Sequence, residues 1–81
     1  MITRLSLLKK GESAKVKAVE GEGRIRRRLF DMGITPGVDL SVRKLAPLGD
    51  PIEITIRGYE LSLRKSEAES VVVIVPEEES L

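Results

Sequence analysis

The sequence contains neither cysteine nor histidine in its 81 residues. Without thiols it has no disulfide staples and no thiolate nucleophile. Without imidazole it lacks the usual near-neutral acid–base group, and without either it lacks the common nitrogen and sulfur ligands of zinc, copper and iron. Carboxylates remain, but Glu77-Glu78-Glu79 reads as solvated charge, so no metal site and no cofactor is expected. No pair of carboxylates stands out at a spacing that would poise one against the other, and no catalytic residue is assigned. Gly21 and Gly23 enclose only Glu22, and the phosphate-cradling pattern G-x-x-x-x-G-K-[ST] is missing, so nucleotide binding is not expected either. Aromatics are scarce. Tryptophan is absent, and Phe30 and Tyr59 alone could act as stacking platforms for a single-stranded nucleic acid. The longest apolar run, Val71 to Val75, ends at Pro76, far short of the roughly 18 residues a membrane-crossing helix needs. Met1-Ile2-Thr3-Arg4 does not follow the plan of a secretory leader, so a cytoplasmic location is expected.

What is present is unevenly distributed. Lys and Arg outnumber Asp and Glu by six over residues 1–30, the two balance over 31–65, and residues 66–81 carry five Glu and no base. A basic face and an acidic end follow, which can steer the chain toward an acidic partner although its net charge is only +1.

The basic region culminates in Arg24-Ile25-Arg26-Arg27-Arg28-Leu29-Phe30-Asp31-Met32-Gly33. Ile25, Leu29 and Met32 fall at i, i+4 and i+7, one face of a short helix over about residues 24–32. Gly33 suits the left-handed position after a helix end, and Pro36-Gly37 the centre of a type II turn. Around this helix the pattern is of strands. Ala14, Val16 and Ala18 alternate with lysines, as do Val38, Leu40 and Val42, then Ile52, Ile54 and Ile56, then Tyr59, Leu61 and Leu63 with polar residues. Val71–Val75 is continuously β-branched, as expected of a strand covered on both faces. Residues 2–8 read as a docking segment, residues 46–51 as a turn containing Gly49 and Pro51, and Gly58 as a tight reversal. Ser66 and Glu69 have the spacing of a capping box for one helical turn. The expected fold is mainly β, a small antiparallel barrel of about five strands with the helix inserted after the first strand. Residues 1–76 form its single domain, and 77–81 an acidic, flexible tail.

Three motifs occur in order: Arg27-Arg28-Leu29-Phe30-Asp31-Met32-Gly33-Ile34-Thr35-Pro36-Gly37, then Ala46-Pro47-Leu48-Gly49-Asp50-Pro51-Ile52, then Arg57-Gly58-Tyr59-Glu60-Leu61-Ser62-Leu63-Arg64-Lys65 followed by Glu67-Ala68. Together they resemble the FeoA family over about residues 5–75. The resemblance implies an SH3-like barrel, found in cytoplasmic accessory proteins of bacterial ferrous-iron uptake and appended to some metal-dependent repressors. No helix-turn-helix precedes the barrel in this sequence, so a repressor is not expected. The implied partner is FeoB, a membrane iron transporter with a cytoplasmic GTP-hydrolysing domain, and contact with the membrane would be indirect, through it. Phe30 departs from the aliphatic residue usual at its position.

Two readings attach to each candidate site. Arg24, Arg26, Arg27 and Arg28 are either a docking face for an acidic partner or a solvated helix face, with Arg27 paired to Asp31 at i+4. Phe30 is either an interface anchor or part of a second apolar wall. Leu48 and Asp50 either meet a partner or only build a turn, with Asp50 bonded to local backbone. Tyr59 reads as a core residue with a bonded hydroxyl. Gly33, Pro36, Gly37, Gly49, Pro51 and Gly58 are assigned to turns. A barrel binding nucleic acid, or another acidic partner, is the alternative; the near-zero net charge and scarce aromatics count against nucleic acid.

Overall fold

The computed structural model describes residues 1–76. The expected acidic tail, 77–81, lies outside the described residues. Six strands form one antiparallel sheet: β1 (Ile2–Arg4), β2 (Ser13–Val19), β3 (Asp39–Leu45), β4 (Ile52–Ile56), β5 (Tyr59–Leu63) and β6 (Val71–Ile74). Their order is β1-β6-β2-β3-β4-β5. The helix α1 (Gly23–Asp31) follows β2, and a four-residue helix α2 (Lys65–Ala68) links β5 to β6. Among the described residues no helix is long and apolar enough to cross a membrane.

The sixth strand is β1, part of the segment 2–8 read as a docking segment. Three residues are too few to show alternation, and Ile2, Thr3 and Arg4 become a strand because β6 offers them an edge. The rest of that segment is a 3-10 turn, Leu5–Leu7, whose Leu5 is fully buried and which packs against α2. The helix is inserted after the second strand rather than the first, for the same reason.

Strands β2 to β6 each send one face into a single core, whereas β1 buries no residue. Ala14 and Val16, Leu40 and Val42, Ile52, Ile54 and Ile56, Leu63, and Val71 and Val73 are all buried there. Two bulges alter the alternation read from sequence. The β2–β6 register shifts between Val16 and Ala18, so Val19, not Ala18, is the next residue to turn inward. A second shift between Val42 and Lys44 in β3 brings Arg43 within 3.0 Å of Glu53 and 2.7 Å of Glu60, across β4 and β5. β6 also differs from expectation. It has a neighbour on each edge, β1 and β2, but only one covered face, and Ile74 is exposed. Pairing on both edges and covering on both faces favour the same β-branched residues, so the sequence pattern does not separate them.

The turns close as their residues require. Gly37 has φ +93°, and the Val38 N–H donates to the Thr35 carbonyl at 3.2 Å, completing the type II turn around Pro36-Gly37. Arg57 and Gly58, at φ +50° and +80°, reverse the chain between β4 and β5 in the sense of a type I′ turn.

Candidate functional site

α1 is held at its C-terminal end more tightly than at its start. Its N-cap, Glu22, makes no side-chain cap, and its first turn holds no acidic residue. At the other end Gly33 adopts φ +93°, its N–H donates to the Phe30 carbonyl at 2.9 Å, and the Ile34 N–H donates to the Leu29 carbonyl at 3.0 Å. These are the paired bonds of a Schellman ending, and the accompanying apolar contact is supplied by Leu29 and Ile34, both fully buried. The Tyr59 hydroxyl donates to a third carbonyl at this end, that of Met32. Tyr59 is therefore bonded as expected but is 43% exposed rather than in the core. It stands at the first position of β5, beside the end of α1, where the sheet does not cover it.

With Leu29 anchored, the four arginines separate into distinct environments. Arg26 turns back: its Nε donates to the Val19 carbonyl at 3.0 Å, and its guanidinium lies 4.8 Å from the centre of the Phe30 ring. Phe30 is half-buried against the core. Arg24, Arg27, Arg28 and Asp31, with Gly23, line a shallow depression of about 430 Å³ along the outer face of the helix. The Arg27–Asp31 pair expected from i+4 spacing does not form. Arg28 instead reaches Glu67 of α2, Nε to Oε2 at 3.2 Å. Among the described residues the Arg24 and Arg27 guanidinium groups form no ion pair and donate no hydrogen bond. A second depression, of about 380 Å³ across β2, β3 and β4, is different, because Lys15 on its wall is already paired with Asp39 at 3.1 Å.

Glu67 is the link that sequence reasoning missed. Only 7% exposed, it accepts from the Arg64 N–H at 2.9 Å through Oε1 while Oε2 faces Arg28. The capping interaction at α2 is thus Arg64 with Glu67, two residues earlier than the expected Ser66 with Glu69. Arginine is no N-cap residue by type, so nothing in the spacing marks it. The second reason is non-local. Asp50 accepts from the Lys65 N–H at 3.1 Å, so the loop 46–51 caps α2 from fifteen residues away, and Asp50 does not bond its local backbone as expected.

This arrangement joins two candidate regions that are separate in sequence. Arg28 meets α2 through Glu67, Asp50 meets α2 through Lys65, and the arginine depression and the 46–51 loop therefore flank one short helix. Leu48 stands at the tip of that loop and is 94% exposed. The Arg28 side chain is 61% exposed, which limits its ion pair with Glu67 to about 0–1 kcal/mol. The larger role of Glu67 is the cap, so Glu67→Gln is expected to lower stability by under ~1 kcal/mol and Glu67→Ala by about 1–2 kcal/mol. Thermal unfolding of the two variants checks this; equal losses would show that charge, not the bond to Arg64, holds α2.

Among the described residues no cluster of three or more Asp or Glu is placed to hold a metal ion.

Comparison with known proteins agrees with this geometry. A solved FeoA-like protein from Clostridium acetobutylicum is 39% identical, superposes with a TM-score of 0.88, and matches 99% of this chain and 93% of its own. The FeoA of Stenotrophomonas maltophilia, a prokaryotic SH3 domain protein solved with zinc, is 32% identical, with a TM-score of 0.79 and 89% of each chain covered. The SH3-like architecture expected from the motifs is therefore shown. A fusion of Fe(2+) transport protein A with the Fe(2+) transporter FeoB, from Porphyromonas gingivalis, is 40% identical over 70 residues, 86% of this chain. This chain spans 8% of that protein's length. With the FeoA domain model matching residues 3–75, nearly the whole described fold, the chain belongs to the FeoA family, which is linked to ferrous-iron transport.

Proposed function

We propose that this protein is a non-enzymatic, cytoplasmic accessory factor of bacterial ferrous-iron uptake that docks on the cytoplasmic part of a FeoB-type GTPase transporter. Residues 1–76 act as one module, and the contact face is the outer side of α1. The observation that carries this reading is the state of Arg24 and Arg27. Both line one depression on a helix anchored by Leu29, and no acidic group of the described fold forms an ion pair with either. Arginine presents a planar fork of donors suited to carboxylates, and such a pair left open on a rigid element is ready for an acidic surface. Arg28 and Asp31 border the same depression, whereas Arg26 and Phe30 support the helix from behind. The fusion relative lends support, because it carries the two functions in one polypeptide.

The test is an amide NMR titration with the cytoplasmic GTPase domain of the cognate transporter, repeated with the intact transporter in detergent. Saturable shifts are expected over residues 23–33. Arg24→Glu with Arg27→Glu is expected to weaken binding by roughly ten- to a hundred-fold, mostly through a slower and less salt-sensitive association, with Tm within a few degrees of wild type. Wild-type affinity in that variant would show that the face is not used. Steeply salt-dependent binding to single-stranded RNA without transporter contact would favour a nucleic-acid role.

A further inference from the structure

The loop Ala46-Pro47-Leu48-Gly49-Asp50-Pro51 is built in a way that neither folding nor solubility explains. The Gly49 N–H donates to the Ala46 carbonyl at 2.8 Å, closing a turn whose central residues are Pro47 and Leu48. Leu48 occupies the third position at φ +66°, ψ +12°, the left-handed conformation that a type II turn demands and that glycine or asparagine adopts most readily. A leucine there is strained. It is also 94% exposed, the most exposed of the large hydrophobic residues in the described fold. Its side chain thus contributes nothing to the core while its backbone opposes the turn.

The turn around it is firmly held. The Ala46 N–H donates to the Pro51 carbonyl at 3.1 Å, and Asp50 is fixed to the start of α2. The backbone that carries the apolar tip is therefore preset, so binding has only the leucine's own rotamers to fix, which favours a single residue as an anchor. Leu45, 37% exposed, extends the apolar surface on one side, and the nearest charges are mixed, Lys44 before the loop, Asp50 within it and Glu53 after it. Through α2 the loop is continuous with the Arg24/Arg27 depression.

We infer that Leu48 is an anchor inserted into an apolar socket on the same transporter that the α1 arginines engage. The anchor rests on the docking reading above and adds to it a second contact of different chemistry: the arginines govern the rate of encounter, and Leu48 governs how long the complex lasts. The occupant is a folded protein pocket, since a lone leucine buried by nothing else needs walls on all sides to leave water.

The experiment compares the full chain with Leu48→Asn, Leu48→Ser and Arg24→Glu/Arg27→Glu by surface-immobilised kinetics against the transporter's cytoplasmic domain and against the intact transporter in detergent. Leu48→Asn is expected to keep or slightly raise Tm, because asparagine tolerates left-handed backbone. It is nevertheless expected to weaken binding about thirty-fold, mainly through faster dissociation, with unchanged salt dependence. Leu48→Ser should lose affinity to a similar extent, which excludes a particular effect of the amide side chain. If the arginine variant weakens binding and both Leu48 variants bind as wild type, the anchor is wrong and the docking reading stands. If the wild-type chain binds neither form of the transporter, both fall. Concentration-dependent dimerisation of the wild type that Leu48→Asn abolishes, with transporter binding unaffected, would assign Leu48 to a second copy of this chain and overturn the inference.

Discussion

Leu29→Ala is expected to lower stability by about 3–4 kcal/mol, near the middle of the range for a leucine truncated in a packed core. In a domain of this size that is a fall in Tm of roughly 15–25 °C. Leu29 is 0% exposed and is the one buried residue within α1. It is also the residue whose carbonyl receives the Ile34 N–H, so its side chain and backbone both fasten the helix to the sheet. Ile25, Phe30 and Met32 pack against the core only in part and are poorly placed to compensate. Loss of the methyl groups should therefore loosen α1 before it unfolds the sheet. Hydrogen exchange is expected to rise over residues 23–33 more than over β3 and β4, and transporter binding to weaken although no contact residue has changed. Circular dichroism melts together with exchange measurements check this. A Tm within a few degrees of wild type would mean that the helix is held chiefly by its Gly33 ending.

That ending is the second sensitive point. Gly33→Ala is expected to lower stability by about 2–3 kcal/mol, of which roughly 1–2 kcal/mol is the left-handed backbone that any β-carbon opposes. The remainder is steric, because a β-carbon at this position would lie 2.9 Å from the Tyr59 hydroxyl oxygen, and that hydroxyl is held by its bond to the Met32 carbonyl. The two parts separate in a double-mutant cycle with Tyr59→Phe. Removing the hydroxyl relieves the contact but not the backbone strain, so Gly33→Ala is expected to be milder by about 1 kcal/mol in the Tyr59→Phe background. Additive losses by chemical denaturation would show that the hydroxyl moves aside freely and that strain alone sets the effect.

Several features of this fold were legible because they are written locally. The helix boundary at Gly33, the Pro36-Gly37 turn and the reversal at Gly58 each depend on the conformational range of one or two residues, and the inward faces of β3 and β4 depend on a period-2 alternation. The three ordered motifs likewise placed the chain in its family. The readings that changed share another trait. Ala18 was displaced by Val19 because a bulge is a property of two paired strands. The Arg27–Asp31 pair, two exposed groups on one helix with little to gain from meeting, does not form, and the arginine that pairs is Arg28, because the fold brings it to Glu67, buried and already bonded to the Arg64 N–H. Tyr59 left the core because its strand begins at the end of α1, where a hydroxyl finds a carbonyl.

By itself, then, the sequence determined which residues could be helix, strand and turn, which chemistries were closed for want of cysteine and histidine, and that its positive charge would gather on α1. Tertiary structure alone decided which arginines remain open. Spacing made Arg24, Arg26, Arg27 and Arg28 look equivalent, but the Val19 carbonyl and the Phe30 ring take Arg26, and Glu67 engages Arg28. It also decided that the helix and the 46–51 loop share a surface, because α2 lies between them and bonds to both. The physical reason is one of range. Backbone preference and hydrophobic period act over a few residues, whereas a side chain's partner is whatever the fold brings within about 3 Å of it, at any separation along the chain.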